Sequence, residues 1–148
     1  MTKPYPCPGK CVYCPGESSQ PGVKVAQSYT GREPAAMRSI NCNFDPYEQV
    51  KSRIGDLEAI AHNVDKIELI IMGGTFLSTD IEYQKSFIQG ALEGVIDKRV
   101  SSLNKAKKIA EKSSRTLVGL TIETRPDYCT PKYIDYMLNY SATRVEIG

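Results

Sequence analysis

Long apolar runs are missing from this sequence. None approaches the ~20 residues a helix needs to cross a bilayer, so no membrane-spanning helix is expected. Nothing at its start reads as a basic stretch, an apolar stretch and a cleavage site. No secretory leader is therefore expected, and the reducing cytoplasm is the expected compartment. Histidine is scarce, with His62 alone. Charge of one sign is scarce too. The net charge of +2 neither announces nucleic acid nor excludes it, because clustering matters more than the sum. Five cysteines is an odd count, which argues against a disulfide framework in a chain without a leader. Internal repeats and low-complexity stretches are also missing. What remains is ordinary for one globular domain: 148 residues, 41% hydrophobic and 24% charged.

Against that background the stretch Cys7-Pro-Gly-Lys-Cys11-Val-Tyr-Cys14 stands out. Its C-x3-C-x2-C spacing lets one short loop aim three sulfurs at one soft metal centre, without a fourth. Gly9, Gly16 and prolines at 4, 6, 8 and 15 keep the segment out of helix and strand. Two metal readings stand side by side. A structural zinc site wants four ligands, so Cys42, Cys129 or His62 would have to complete it. A 4Fe–4S cluster needs only the three, with one iron left open for a ligand. The spacing, with the aromatic Tyr13 before the last cysteine, resembles the signature of radical S-adenosylmethionine enzymes.

The rest of the chain is read as a loop region followed by alternating elements. Residues 5–17 form the cysteine loop, and 15–44 read as irregular, punctuated by Gly22, Gly31, Pro21 and Pro34. Val23 to Val25 offers one short extended piece, and Tyr29, Met37, Ile40 and Phe44 are anchors able to pack. Asp45 and Pro46 open a helix with Tyr47, Val50, Ile54, Leu57 and Ala61 inward, running to His62. Residues 66–72 read as a buried parallel strand, stopped by Gly73-Gly74-Thr75, where bare backbone would admit a ligand. Helices follow over 80–96 and 101–114. The first has Ile81, Ile88, Ala91, Leu92 and Val95 inward and is weakened by Gly90 and Gly94. The second bears an outer row of Lys105, Lys107, Lys108 and Lys112, read as a solvated face or an RNA-phosphate contact. A second strand spans 117–124. Its Glu123 reads either as an edge position, as a salt-bridge partner of Arg125, or as an acceptor for a ligand across the strand ends. A helix over 131–140 with Ile134, Met137 and Leu138 inward precedes a third strand over 144–147, where Glu146 repeats the strand-end acid. This alternation predicts βαβ units, a parallel sheet, and a site at the C-terminal strand ends.

The motifs resemble one family closely. The cysteine segment 6–16, Gln27-Ser-Tyr-Thr-Gly31, Glu33-Pro34, Met72-Gly-Gly-Thr75, Thr121-Ile-Glu-Thr-Arg-Pro-Asp-Tyr-Cys129 and the terminal Arg144-Val-Glu-Ile-Gly148 are similar to the catalytic subunit of Elongator, above all its archaeal single-protein form. The resemblance covers essentially the whole chain. It implies an α/β fold, a partial (β/α)6 TIM-like barrel of the radical S-adenosylmethionine type, incomplete here. It implies conversion of the tRNA wobble uridine to 5-carboxymethyluridine, with a 4Fe–4S cluster, S-adenosylmethionine and acetyl-coenzyme A. A 5′-deoxyadenosyl radical would take hydrogen from the acetyl methyl group. By that resemblance Cys7, Cys11 and Cys14 ligate the cluster and act in catalysis. Tyr13, Gly73, Gly74, Thr75 and Glu123 bind the cofactors. Partners would be tRNA, acetyl-coenzyme A, and a second copy or Elongator-like subunits. The family's acetyltransferase-like domain and its tRNA-holding residues before the cysteine loop are not in this sequence. A fragment of a longer protein is therefore expected, inactive alone, with βα units over 45–148. The alternatives are a radical enzyme acting on porphyrin precursors, a methylthiotransferase, or a non-enzymatic zinc-stabilised RNA-binding module.

Overall fold

The computed structural model describes residues 1–16 and 22–148; Pro21, read above as loop punctuation, lies outside them. Among the described residues, besides two short 3-10 turns, five α-helices and three strands follow in order: α1 (Pro34–Asn41), α2 (Pro46–Ala59), β1 (Lys66–Ile71), α3 (Ile81–Ile96), α4 (Leu103–Ala110), β2 (Thr116–Thr124), α5 (Pro131–Asn139) and β3 (Arg144–Ile147). The strands form one all-parallel sheet in the order β1-β2-β3. Helical crossovers between neighbouring parallel strands are what the alternation in the sequence predicts.

One side of the sheet carries the main core. Leu120 and Ile122 of β2 and Ile71 of β1 pack against Phe87, Ile88 and Leu92 of α3, Ala106 and Ala110 of α4, and Met137 of α5. A polar thread runs through it: the Tyr140 hydroxyl donates to Gln84 Oε1 (3.0 Å), and Gln84 Nε2 donates to Thr79 O (2.7 Å). Both side chains are buried, so each bond satisfies a group that would otherwise be costly to desolvate. On the other side, Glu68 of β1 reaches over the sheet to an ion pair with Arg144 of β3. Gly119 of β2 leaves room for that crossing: a Cβ there would stand 3.2 Å from Glu68 Cγ.

Several expectations are corrected. The stretch 15–44 is not wholly irregular, because 34–41 is helix. Pro34 does not break the chain there: it sits in the first turn, where its missing N–H costs nothing. Glu33 just before it folds its carboxylate onto Thr30 N (2.9 Å) and Gly31 N (3.0 Å). Val23 to Val25 forms no strand. Val25 instead joins Met1 and Ala36 in a second small core, against which Tyr29, Ile40 and Phe44 pack, whereas Met37 is exposed. β1 is not buried on both faces; it is an edge strand whose Ile70 is 45% exposed. Glu123 lies on the central strand, so the edge reading fails. α2 ends before Ala61, which is exposed. α4 is shorter than expected, and Lys107 is not purely solvated, since its Nζ donates to Asn139 O (2.9 Å). In α5 only Met137 of the expected trio is buried, while Leu138 is 62% exposed. Tyr133, Tyr136 and Tyr140 take the inward face instead. A tyrosine-rich helix gives two candidate apolar stripes, and the larger aromatic area wins.

Gly90 and Gly94 do not merely weaken α3; they are the place where α2 crosses it. A Cβ at Gly90 would meet Pro46 Cγ at 2.6 Å, and one at Gly94 would meet Val50 Cβ at 2.7 Å and Tyr47 O at 2.9 Å. Gly55 on exposed α2 has no neighbour within 4 Å of such a Cβ. Two opposite outcomes follow from the same substitution. Gly55→Ala stabilises by about 0.5–1 kcal/mol through lost unfolded-state freedom and better helix propensity. Gly94→Ala destabilises by about 1–3 kcal/mol through overpacking. Urea denaturation of the two variants beside the parent measures both signs.

Candidate cluster and cofactor site

The parallel strands end together, and the cysteine loop is tied down beside them. Thr2 N donates to Met72 O (2.9 Å), and the Tyr5 hydroxyl donates to Gly73 O (2.6 Å). The Cys7 amide donates to Gln27 Oε1 (3.2 Å), and Cys7 Sγ lies 3.4 Å from Thr75 Oγ1. Burial, with the nearby Cys7 thiol adding to it, pushes the Tyr5 phenol up, so it stays a donor. Within the loop, the amides of Gly9 and Gly16 each point at a sulfur, Cys7 Sγ and Cys14 Sγ, at 3.4 Å.

A cavity of about 490 Å³ opens at this end of the sheet, lined by Cys7, Cys11, Cys14, Tyr13, Gly74 and Glu123, among others. Most of the residues expected to act together are thus brought together. Two are placed differently. Gly73, at φ +131°, is buried beneath Thr2, whose Cβ would lie 3.1 Å from a Cβ at Gly73. Thr75 is fully buried and meets Cys7 rather than the cavity. Gly74, at φ +57°, does face it, and its bare backbone occupies the left-handed region that favours glycine. Tyr13 is 78% exposed at the rim.

All five cysteines are free thiols, those of the loop half-buried. Among the described residues no three His, Cys, Asp or Glu side chains gather into a group that could hold a single metal ion. Cys42, Cys129 and His62 do not gather with the loop thiols into such a group. A tetrahedral zinc with Zn–S near 2.3 Å needs its sulfurs roughly 4 Å apart. A cluster seats each thiolate on a different iron and so suits ligands spread around a cavity wall. Three thiols of one loop at one cavity are the type of donor such a cluster takes.

Glu123 is not paired with Arg125. Its Oε2 accepts from the Tyr29 hydroxyl (2.9 Å), while Arg125 is held by Asp127 through Nε–Oδ1 and Nη2–Oδ2 contacts, both 2.9 Å. Sheet register sets Glu146 directly opposite Glu123, and both line the cavity. Burial holds the Glu123 carboxyl above its ordinary range; the Tyr29 bond opposes this and the Glu146 charge adds to it. Sequence reading missed Tyr5 and gave Gln27 and Tyr29 no role at the site, only a place in a motif and, for Tyr29, a packing anchor, because a tyrosine or glutamine in a loop carries no spacing signal of its own. A raised carboxyl means that the folded chain binds more protons than the unfolded one between the two titration points. Stability then falls as pH rises through that window and stays lower above it. Glu123→Gln keeps an acceptor for Tyr29 and removes the charge. It raises the melting temperature at pH 7, by roughly 2–4 °C per kcal/mol regained, and the gain vanishes below pH ~4. Thermal melts of both chains across that range check the sign.

No protein-family model matches the chain. Similar proteins are nonetheless plain. The tRNA uridine(34) acetyltransferase of Methanocaldococcus jannaschii is 54% identical over 149 residues, covering all of this chain and 28% of that protein. Elongator complex protein 3 of Schizosaccharomyces pombe is 45% identical over 154 residues, again all of this chain and 28% of the relative. The solved structure of the archaeal Methanocaldococcus infernus Elp3 with an N-terminal deletion (1–46) superposes with a TM-score of 0.72 at 51% identity, over 74% of this chain and 26% of that one. The small parallel sheet is thus shared with a solved relative. Over its whole length the chain is thus similar to the tRNA uridine(34) acetyltransferase and Elongator complex protein 3 relatives, and it spans a little over a quarter of their length.

Proposed function

We propose that the chain is the cluster- and S-adenosylmethionine-binding part of an enzyme that modifies the wobble uridine of tRNA to 5-carboxymethyluridine with acetyl-coenzyme A. The observation behind this is the convergence of Cys7, Cys11 and Cys14 with Gly74 and Glu123 around one cavity at the C-terminal strand ends. Names of relatives supply the substrate: proteins 54% and 53% identical are tRNA uridine(34) acetyltransferases. A partial radical S-adenosylmethionine barrel is the architecture that fits three parallel strands and their crossovers. Assembly with further subunits, as the name Elongator complex protein 3 says of other relatives, or as a homodimer, belongs to the same proposal.

When bound, a 4Fe–4S cluster with one open iron supplies an electron to S-adenosylmethionine. The chain's own residues do the holding. Cys7, Cys11 and Cys14 offer three thiolates, and the Gly9 and Gly16 amides steady two of them. Thr75 braces Cys7 from behind. Gly74 would offer bare backbone to the cofactor, and Glu123 an acceptor held in place by Tyr29. Tyr13 covers the rim. Acetyl-coenzyme A and the body of the tRNA bind beyond these residues.

Anaerobic reconstitution with iron and sulfide tests this reading. The parent chain takes up about four irons and Cys11→Ala loses them. Stoichiometric tetrahedral zinc in anaerobically purified protein would instead establish the zinc-stabilised module. In the cluster-loaded chain Gly74→Val keeps its iron and weakens S-adenosylmethionine binding, since a side chain at φ +57° is strained and crowds Tyr5 Oη, 3.3 Å from a Cβ. A protein of the relatives' length, given tRNA and labelled acetyl-coenzyme A, transfers label to the tRNA. Consumption of a porphyrinogen without such transfer would favour the porphyrin-precursor enzyme.

A further inference from the structure

Arg125 follows β2 and lies at the mouth of the cavity beside the cysteine loop. Its guanidinium is anchored on one edge by Asp127, through two contacts of 2.9 Å. Bidentate pairing of this kind fixes the plane as well as the position of the fork. The other edge is different. Nη1 is buried and has no hydrogen-bond partner among the described residues, although the Asp127 pair beside it is half open to solvent. A buried, unpartnered N–H of a cation is costly and calls for an explanation. What it faces is Gly9, between Cys7 and Cys11. A Cβ at Gly9 would collide with Nη1 and stand 2.8 Å from Cζ. Glycine is therefore required at this position to let the guanidinium lie on the backbone of the loop, although the backbone conformation itself does not demand it.

Resting on the cluster reading above, we propose that Arg125 is a positioning residue for the centre held by Cys7, Cys11 and Cys14. Its clamp on Gly9 fixes the loop, and its unpartnered Nη1 lends positive charge to the sulfur ligands. Neither role was read from the sequence, where Arg125 stood only as a partner for Glu123. A cluster with three thiolates is anionic and becomes more so on reduction. A fixed cation at its edge stabilises the reduced form more than the oxidised form, so its removal makes reduction harder.

The test is an anaerobic redox titration of the reconstituted chain, followed by paramagnetic resonance, with iron content measured on the same samples. Arg125→Ala lowers the reduction equilibrium at least tenfold, about 59 mV for a one-electron couple. Arg125→Lys keeps the charge without the fork and recovers part of that loss. Gly9→Ala leaves every cysteine and Arg125 itself in place, yet shifts the potential in the same direction as Arg125→Ala by displacing the guanidinium. Should Gly9→Ala lose iron outright, the Arg125→Ala and Arg125→Lys pair still decides the sign. Variants that bind iron and titrate with the parent overturn the inference and leave the cluster reading standing. A parent that takes up no iron overturns that reading, and this inference with it.

Discussion

The first seven residues are stitched to the turn that follows β1, and the rest of the site depends on this seam. Thr2 bonds to Met72, Tyr5 to Gly73, and Cys7 meets Thr75. A loop rich in proline and glycine has little helix or strand to hold it, so its position must come from such side-chain and backbone ties. The seam is also why the Gly73-Gly74 turn has two faces. Gly73 is spent on close approach to Thr2, and only Gly74 remains for the cavity.

The second constraint is register. Parallel pairing places Glu123 opposite Glu146, two carboxylates side by side at the cavity wall. Neither has a cation of its own among the described ion pairs, since Arg125 is taken by Asp127 and Arg144 by Glu68. Tyr29 answers one of them with a hydrogen bond rather than a charge. The site therefore combines a sulfur-rich, cation-clamped rim with an acid-lined wall. That division suits a negatively charged centre on one side and a positively charged ligand on the other.

Much of this was legible in the sequence, for reasons that differ by element. The strands and the long helix α3 announced themselves through apolar periodicity, and the C-x3-C-x2-C spacing and the Gly-Gly-Thr stop are local signals that survive folding. What stayed hidden depended on contacts between distant residues. Arg125 could have turned toward Glu123 or Asp127, each two residues away; the bidentate fit decided for Asp127, and Tyr29 took Glu123. Whether β1 was an edge or a central strand could not be read from Lys66–Ile71 alone, because an apolar run looks alike in both. Gly90 and Gly94 read as helix defects until the path of α2 showed what occupies the space beside them. Helix α1 was masked by Pro34, whose meaning changes with its place in the first turn.

The edge strand described above also bears on how such a chain behaves in company. Among the described residues, no strand pairs with the outer edge of β1 or of β3. Each edge therefore offers unmet backbone donors and acceptors, with Ile70 on one and Ile147 on the other exposed beside them. Proteins blunt such edges with charge, and here Lys66, Glu68, Arg144 and Glu146 interrupt the apolar residues at alternate positions. Those charges act as gatekeepers: they oppose sheet-to-sheet association between copies while leaving the ladder free to continue within a larger sheet.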